Sequence, residues 1–204
     1  MSPLHRFFTI LAILAVTCSV TGCKKKEFNI RDVDPGKAGT VRSLAPESQE
    51  AIRLSDLMCR SLLASEPIKN GKHPATVAML PIENDTRFAF NKDIFATRLR
   101  AELNKTSEGA LRFIARDVMS DIESERAAKR DGKVDYDPDR RTERVAGADF
   151  FLRGKISGLS TASKAGQAQY TVYTFELIDP ETALILWEDL FEIKKEGRDD
   201  VIYK

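Results

Sequence analysis

Two alternating runs near the end of the chain limit the folds that it can adopt. From Tyr170 to Ile178, branched or aromatic residues alternate with polar ones, and a second run extends from Leu184 to Ile193. Strict alternation places one set of side chains on each face of a strand, which is the pattern of a sheet with one buried face. Pro180 and its polar neighbours favour a tight turn between the runs. The sequence therefore predicts an antiparallel hairpin here.

The segments before this hairpin alternate between helical and strand patterns. Apolar residues at helical spacing, with capping residues at their ends, predict four helices, at about 46–64, 91–105, 117–131 and 139–147. Short apolar runs predict three further strands, at 76–82, 111–115 and 150–156. This order predicts a single α/β domain with a mixed sheet and helices packed on it.

The first residues have the composition of a secretory signal. Arg6 precedes an apolar run from Phe7 to Val16, and small residues follow it. A helix that crosses a bilayer needs about 20 apolar residues, so this shorter run is predicted to be a signal peptide over residues 1–22. The polar stretch that follows has no sustained periodicity and predicts a flexible tether over 23–44. Residues 45–204 are then predicted to form the globular domain.

The charge balance argues against a nucleic-acid partner. The chain has 32 Lys and Arg residues and 31 Asp and Glu residues. Because Arg6 is the only one of these in the signal, its removal leaves equal numbers of basic and acidic side chains. A general nucleic-acid binder would carry an excess of basic residues.

The chain lacks the residues of common catalytic and metal sites. His73 is the sole histidine after the signal, so neither a Ser-His-Asp triad nor a His-based zinc site is predicted. The aspartates at 135, 137 and 139 are spaced like the first ligands of a calcium loop. However, Arg140 stands where that loop needs glycine, and Ala146 stands where it needs glutamate. The sequence predicts no enzyme, no cofactor and no metal site.

Polar residues that follow the first predicted strand are the candidate partner-binding site. Asn84, Asp85, Thr86 and Arg87 lie where α/β sheets commonly place binding groups. An equal alternative is a turn in which Asn84 and Asp85 bond their own backbone. Tyr136, in a charged loop, is a candidate exposed anchor for a partner. Core packing is predicted instead for Cys59, Phe88, Phe90 and Trp187.

The order Val20-Thr21-Gly22-Cys23 resembles the lipobox of bacterial lipoproteins. In these proteins the cysteine receives a lipid on its thiol, becomes the new N-terminus and is then acylated on its amine, so the resemblance implies palmitate or similar chains on Cys23. The alternative is an ordinary signal peptide with a chance cysteine. Lys24 replaces the aspartate that favours inner-membrane retention in enteric bacteria. The resemblance therefore implies the periplasmic face of the outer membrane.

Four segments of the mature domain carry a second resemblance. They are the strand 77–80 running into Asn84-x-Thr86, the helix with Leu99 and Leu103, the step 147–149 into the strand 150–156, and the closing hairpin with 174–179 and 185–188. In this order they resemble the periplasmic lipoprotein activators of bifunctional penicillin-binding proteins, the LpoB type, over about residues 50–204. The resemblance implies a fold similar to the N-terminal domain of TolB.

This second resemblance implies a non-enzymatic activator. Members of that family dock on a small accessory domain of the synthase and stimulate its glycosyltransferase and transpeptidase reactions. The tether of this chain departs from the long proline-rich linkers of the best-known members. An alternative is a subunit of an oligomeric outer-membrane scaffold or secretion assembly, because curli-secretion lipoproteins are similar in having a lipidated cysteine and a related domain. Those proteins also need long membrane-spanning hairpins, which this sequence lacks, so a monomeric body is expected.

Overall fold

A mixed β-sheet with helices packed on it forms the body of the protein. The computed structural model describes residues 30–71, 74–135, 137–140 and 144–197. Residues 30–33 are exposed and belong to a separate unit, and the compact unit begins at Asp34. Its helices are α1 (Ser48–Ala64), α2 (Glu66–Lys69), α3 (Asp93–Thr106) and α4 (Met119–Arg130). Its strands are β1 (Ala75–Met79), β2 (Glu83–Asp85), β3 (Leu111–Phe113), β4 (Phe150–Ser163), β5 (Gly166–Ile178) and β6 (Ile185–Gly197).

The strand order places β4 between a parallel half and an antiparallel half of the sheet. The order is β3-β1-β4-β5-β6, and β2 pairs with β4 beyond the end of β1. Strands β3, β1 and β4 are parallel, whereas β4, β5 and β6 are antiparallel. The predicted α/β class with a mixed sheet is confirmed.

The core lies between the sheet and the helices α1 and α3. Alternate residues of β5, among them Tyr173, Phe175 and Leu177, are fully buried on this face. Leu54 from α1 and Leu99 from α3 belong to the same buried cluster. Each such side chain contributes about 1.5–3 kcal/mol when it is fully buried. The predicted alternation in the closing hairpin therefore selects the face on which the helices pack.

The predicted fourth helix, over residues 139–147, is wrong for the part of it that the structure describes. Residues 138–140 form a single 3-10 turn, and residues 144–149 have no regular structure. Residues 141–143 lie outside the described ranges. The segment is rich in charge and offers no apolar stripe that could pack against the sheet, and such a stripe is what stabilises a short surface helix.

Strand β4 is longer than the sequence predicts. It passes the expected end at Ile156 and continues to Ser163, which pairs with Gly166 across a tight turn. The extra residues are mostly small and polar, so their local pattern does not indicate a strand. Pairing with β5 supplies the stabilisation that local propensity lacks. The short strand β2 is not indicated by its own residues either, because Asn84 and Asp85 favour a turn.

Gly154 leaves room for the aromatic core, and its replacement should be costly. An alanine Cβ there would lie 2.7 Å from Phe175 Cε1 and 3.1 Å from Ile82 Cγ1. Because both neighbours are packed in the core, we expect Gly154→Ala to lower the free energy of unfolding by about 1–3 kcal/mol in urea titrations. Gly147→Ala is the control, since its Cβ would meet nothing within 4 Å. Equal effects of the two variants would contradict this explanation.

Lys195, on β6, joins the segment before α1 to the last strand. Its ammonium donates hydrogen bonds to the carbonyl oxygens of Ala45, at 2.6 Å, and Ser43, at 3.2 Å. Between them Leu44 is buried and packs beside Gly197. Farther upstream, the Ser48 hydroxyl donates to the Pro35 carbonyl at 2.8 Å. The compact unit thus includes part of the stretch that was predicted as tether.

The same lysine lies against two carboxylates. Its side chain is 10% exposed and faces Glu50, which is 1% exposed, in an ion pair without a well-directed hydrogen bond. The other oxygen of Glu50 accepts a hydrogen bond from the Tyr173 hydroxyl at 2.7 Å. Glu47 lies 3.6 Å from the Lys195 ammonium. We call Lys195, Glu47, Glu50 and Tyr173 the lysine clamp.

Acid should weaken the lysine clamp through Glu47. Burial raises the pKa of this carboxyl, but the Ser43 amide and the Lys195 ammonium outweigh burial, so its pKa lies below the ordinary 4.5. A lowered pKa means that the stabilisation is present above about pH 4.5 and is lost as the pH falls through the folded-state value. Glu47→Gln should therefore reduce the acid dependence of the free energy of unfolding, measured in urea at several pH values. An unchanged acid dependence would contradict this, and the exposed Glu123→Gln is the control.

Candidate partner-binding site

The predicted binding residues begin at β2, which lies parallel to β4. Asn84 is opposite Ile156, and its amide organises the turn that follows. Asn84 Oδ1 accepts hydrogen bonds from the Thr86 amide, at 3.1 Å, and the Thr86 hydroxyl, at 2.8 Å. Asn84 Nδ2 donates to the Phe88 carbonyl at 2.9 Å. The turn interpretation of Asn84 is therefore confirmed, and its polar atoms are engaged within the loop.

Asp85 and Arg87 point to opposite faces of the sheet. Asp85 is opposite Ser157 on the face away from the core and forms an ion pair with Lys155 at 3.5 Å. Arg87 instead donates to Gln167 Oε1 at 3.1 Å, on the helix-packed face of β5. Its guanidinium also lies over the Phe88 ring, 4.7 Å from the centroid. The four predicted residues are close in sequence, but they do not form one continuous patch.

Gly158 lies directly against the loop, and this close approach was not predicted from the sequence. A Cβ at this position would lie 3.2 Å from the Thr86 methyl group and 2.5 Å from Gln169 Nε2. The Gln169 side chain is buried and donates to the Tyr170 carbonyl at 3.1 Å. The loop therefore packs closely against the β4–β5 hairpin, and Gln167 of the same hairpin binds Arg87. An isolated glycine in a polar stretch was the one available signal of this close approach.

The exposed Leu159 and the half-buried Tyr170 lie beside Asp85 on the outer face. Leu159 is 67% exposed and is directly opposite Tyr170 in the β4–β5 ladder. The Tyr170 hydroxyl donates to the Glu192 carboxylate, and this contact, with a small contribution from burial, raises the pKa of the phenol. Aromatic side chains with a polar tip are common anchors at protein interfaces. Leu159 and Tyr170 extend the candidate surface beyond the predicted residues.

Tyr136, the remaining predicted binding residue, lies outside the described residues, as does His73. Three of the packing predictions are confirmed. Cys59 is buried, and burial raises the pKa of its thiol, so it is held in the unreactive protonated form. Phe90 packs against the core, and Trp187 does so while its indole N–H donates to the Ser61 hydroxyl at 3.1 Å.

In the part of the chain that the structure describes, no group of three or more His, Cys, Asp or Glu residues could hold a metal ion. In the same residues, no helix combines the length and the apolar character needed to cross a membrane.

Two domains of LpoB and one lipoprotein are among the solved structures that this chain resembles. The C-terminal domain of LpoB from Salmonella enterica matches with a TM-score of 0.42 and 13% identity, over 68% of this chain and 94% of that one. The corresponding domain from Escherichia coli gives 0.40 and 14%, over 68% and 93%. Lipoprotein GNA1162 from Neisseria meningitidis gives 0.34 and 16%, over 61% and 85%. No curated protein matches the sequence.

The family match covers most of the folded body. The model of the peptidoglycan-synthase activator LpoB matches residues 51–193, from the first turn of α1 to near the end of β6. This family implies a lipoprotein of the periplasm or outer membrane that acts on a protein partner, and its role is regulatory, not catalytic. The chain therefore belongs to the family of the peptidoglycan-synthase activator LpoB.

Proposed function

We propose that this protein binds a bifunctional penicillin-binding protein through the accessory domain of that synthase and raises the rate of cell-wall synthesis. The observation that carries the proposal is the family match over residues 51–193, since it includes every helix and strand that builds the core. The domain contributes no chemistry of its own in this proposal. It acts by holding the synthase in its active arrangement.

The energetic requirement for such activation is modest. A binding partner can shift an equilibrium only by the difference between its affinities for the two states. A tenfold shift towards the active arrangement needs about 1.4 kcal/mol of tighter binding. One or two well-buried side chains at an interface supply a free energy of this size. A small domain without a catalytic site is therefore sufficient for the proposed effect.

The proposed location follows from Cys23 and Lys24. Lipid on Cys23 would anchor the protein to the periplasmic face of the outer membrane, because several acyl chains give durable attachment. The body would then face the cell wall and its synthases. This part of the proposal is supported by the lipobox resemblance and by a family whose members are lipoproteins.

The proposed docking surface is the loop of Asn84, Asp85, Thr86 and Arg87, which offers Asp85 on one face of the sheet and Arg87 on the other, with Tyr136 as a further contact. Asn84 and Thr86 shape the loop, so Asp85 and Arg87 are the side chains that can be offered to a partner. Leu159 and Tyr170 continue the surface on the side of Asp85.

The test is recovery of the synthase and measurement of its rate. The full chain, purified in detergent, is used to capture proteins from solubilised envelopes. Any penicillin-binding protein recovered is then assayed for glycan polymerisation with and without the chain. A raised rate would support the proposal, and binding without a change in rate would contradict it. Light scattering that gives the mass of one chain would count against the oligomeric scaffold.

Arg87→Ala should weaken synthase binding. The variant removes a guanidinium that is held by Gln167 and the Phe88 ring, and arginine is enriched among residues that dominate interfaces. We expect the dissociation constant to rise about tenfold, equivalent to about 1.4 kcal/mol. Arg130→Ala, at the exposed end of α4, is the matched control. Equal affinities of the two variants would exclude Arg87 from the interface, and thermal unfolding checks that both are folded.

A further inference from the structure

The turn and strand over residues 179–193 carry charge of one sign. This segment contains no Lys, Arg or His, whereas the whole chain is nearly neutral. Its acidic residues are Asp179, Glu181, Glu188, Asp189 and Glu192. A local surface of one sign favours partners of the opposite sign and disfavours partners of the same sign.

Large aliphatic side chains are exposed in the same segment. Leu184 is 59% exposed, Ile185 50% and Leu190 51%, and Leu186 is also exposed. On the outer face, a row of paired residues crosses the sheet: Ala78 pairs with Phe151, Phe151 with Ile178, and Ile178 with Ile185. Ala78 is buried, Phe151 and Ile178 are half-buried, and Ile185 is exposed. Exposure thus rises along this row towards the edge of the sheet. An apolar patch ringed by charges is a common sign of a protein-binding surface.

The outer edge of β6 is open among the residues that the structure describes. Within these residues β6 pairs with β5 alone. The Leu190 amide donates to the carboxylate of its neighbour Asp189 at 2.8 Å, so this N–H is directed away from β5 and towards the open edge. An open edge presents backbone groups that can pair with an added strand.

We propose that residues 184–192, which we call the acidic edge, bind an extended, basic and apolar segment of a partner protein by strand addition. The identity of the partner rests on the proposed function, in which the synthase supplies this segment. Backbone pairing along β6 gives affinity, and the alternating side chains of the added strand meet the exposed aliphatic residues and the carboxylates. The basic character of the segment follows from the absence of any cation over 179–193.

A second copy of this chain is a poor occupant for the same reason. Antiparallel pairing of two β6 strands about Leu190 would bring Glu188 of each copy opposite Glu192 of the other. Like charges directly opposite each other in a sheet are destabilising. A bilayer rich in anionic lipid would also be repelled by the acidic edge.

Asp189 allows the acidic edge to discriminate between a basic strand and an uncharged one. Its carboxylate satisfies the outward amide of Leu190, so an uncharged strand would have to displace this hydrogen bond. A lysine or arginine of the incoming strand can bind the carboxylate instead, which frees the amide for a carbonyl of that strand. Partner charge and backbone pairing are thereby coupled at one residue.

The test compares variants of the acidic edge in the full chain. Leu190→Pro removes the outward amide but no hydrogen bond to β5, and proline is tolerated at such edge positions. Asp189→Lys reverses the charge, and Asp189→Asn keeps an oxygen that can accept the bond from Leu190. Asp121→Lys, on exposed α4, is the matched control for charge reversal. We expect Leu190→Pro and Asp189→Lys to weaken synthase binding at least about tenfold, with a smaller effect of Asp189→Asn and none of Asp121→Lys.

A second measurement separates failure of this inference from failure of the proposed function. Hydrogen exchange of the full chain is followed with an alternating lysine–valine peptide and with its glutamate–valine counterpart, each at up to about 1 mM. We expect the lysine peptide alone to protect the Leu190 amide and its neighbours in β6. Protection by both peptides or by neither overturns the acidic edge, whether or not a synthase is recovered.

The synthase measurements have outcomes of their own. Full synthase binding by all folded variants overturns the acidic edge and leaves the proposed function intact. If Leu190→Pro fails to fold, the synthase affinity of Asp189→Lys tests the proposal by itself. Protection that appears on raising the protein concentration without peptide would assign the acidic edge to a second copy and overturn the proposal.

Discussion

Lys195→Met should lower the free energy of unfolding by about 3–5 kcal/mol, because it removes one partner of a buried ion pair and leaves the other partner uncompensated. Glu50 is 1% exposed, and its remaining contact is the Tyr173 hydroxyl. The variant also strips the hydrogen bonds from the carbonyl oxygens of Ser43 and Ala45, which hold the segment before α1. Methionine keeps most of the volume of the lysine, so loss of charge dominates. Urea unfolding followed by circular dichroism measures the change.

Two controls separate the ion pair from general effects on β6. Lys194→Met changes the neighbouring lysine, whose side chain is exposed and pairs with Glu196 on the surface, so it should cost well under about 1 kcal/mol. The double variant Lys195→Met, Glu50→Met removes both charges and should recover much of the loss, since replacing a whole buried pair with apolar groups is often neutral. A double variant as unstable as Lys195→Met would mean that the charge left on Glu50 is not the cause.

Cys23→Ser should move the protein from the membrane fraction to the soluble fraction. At about 0.8 kcal/mol per buried methylene, each acyl chain contributes on the order of 10 kcal/mol to membrane binding. Loss of all chains therefore changes the distribution completely. Fractionation of cells followed by immunoblotting reads the distribution, and mass spectrometry of the mature N-terminus reads the modification itself.

The other two cysteines provide matched controls. Cys18→Ser lies within the predicted signal, and Cys59→Ser replaces a buried thiol in α1, so neither should change the membrane fraction. Retention of Cys23→Ser in the membrane would mean that the signal stays attached or that another contact holds the protein there. Retention through another contact would contradict lipid anchoring at this residue, and so would a mature N-terminus of the unchanged protein that carries no acyl chain on Cys23.

Elements with a strong local pattern could be predicted, and elements made by distant pairing could not. The alternation from Tyr170 to Ile193 correctly indicates β5 and β6, because large residues such as Tyr173, Phe175, Leu177 and Phe191 lie at alternate positions on the buried face. Strand β4 beyond Ile156 has no such pattern and exists because β5 pairs with it. The predicted fourth helix shows the opposite error, since capping residues alone do not stabilise a segment that has nothing to pack on.

In the candidate site, too, the local features could be predicted from the sequence and the features made by distant pairing could not. The turn at Asn84 follows from the tendency of asparagine to bond the backbone two residues on, which is a local property. The separation of Asp85 and Arg87 onto opposite faces depends on the pairing of β2 with β4, which the sequence did not indicate. The contacts of Lys195 are equally non-local, because the carbonyl of Ala45 that it binds lies 150 residues away in the chain.

The lysine clamp also determines where a mechanical load would enter the domain. Tension applied to the chain upstream of Ser43 first loads the single hydrogen bond between the Pro35 carbonyl and the Ser48 hydroxyl of α1, and once that bond breaks it is met at Lys195. The load then passes into β6, which is held along its length by β5. Strands loaded along their length resist as a set of hydrogen bonds, whereas a helix pulled from its end unwinds turn by turn. The body can therefore bear a pull from its N-terminal side without unravelling α1.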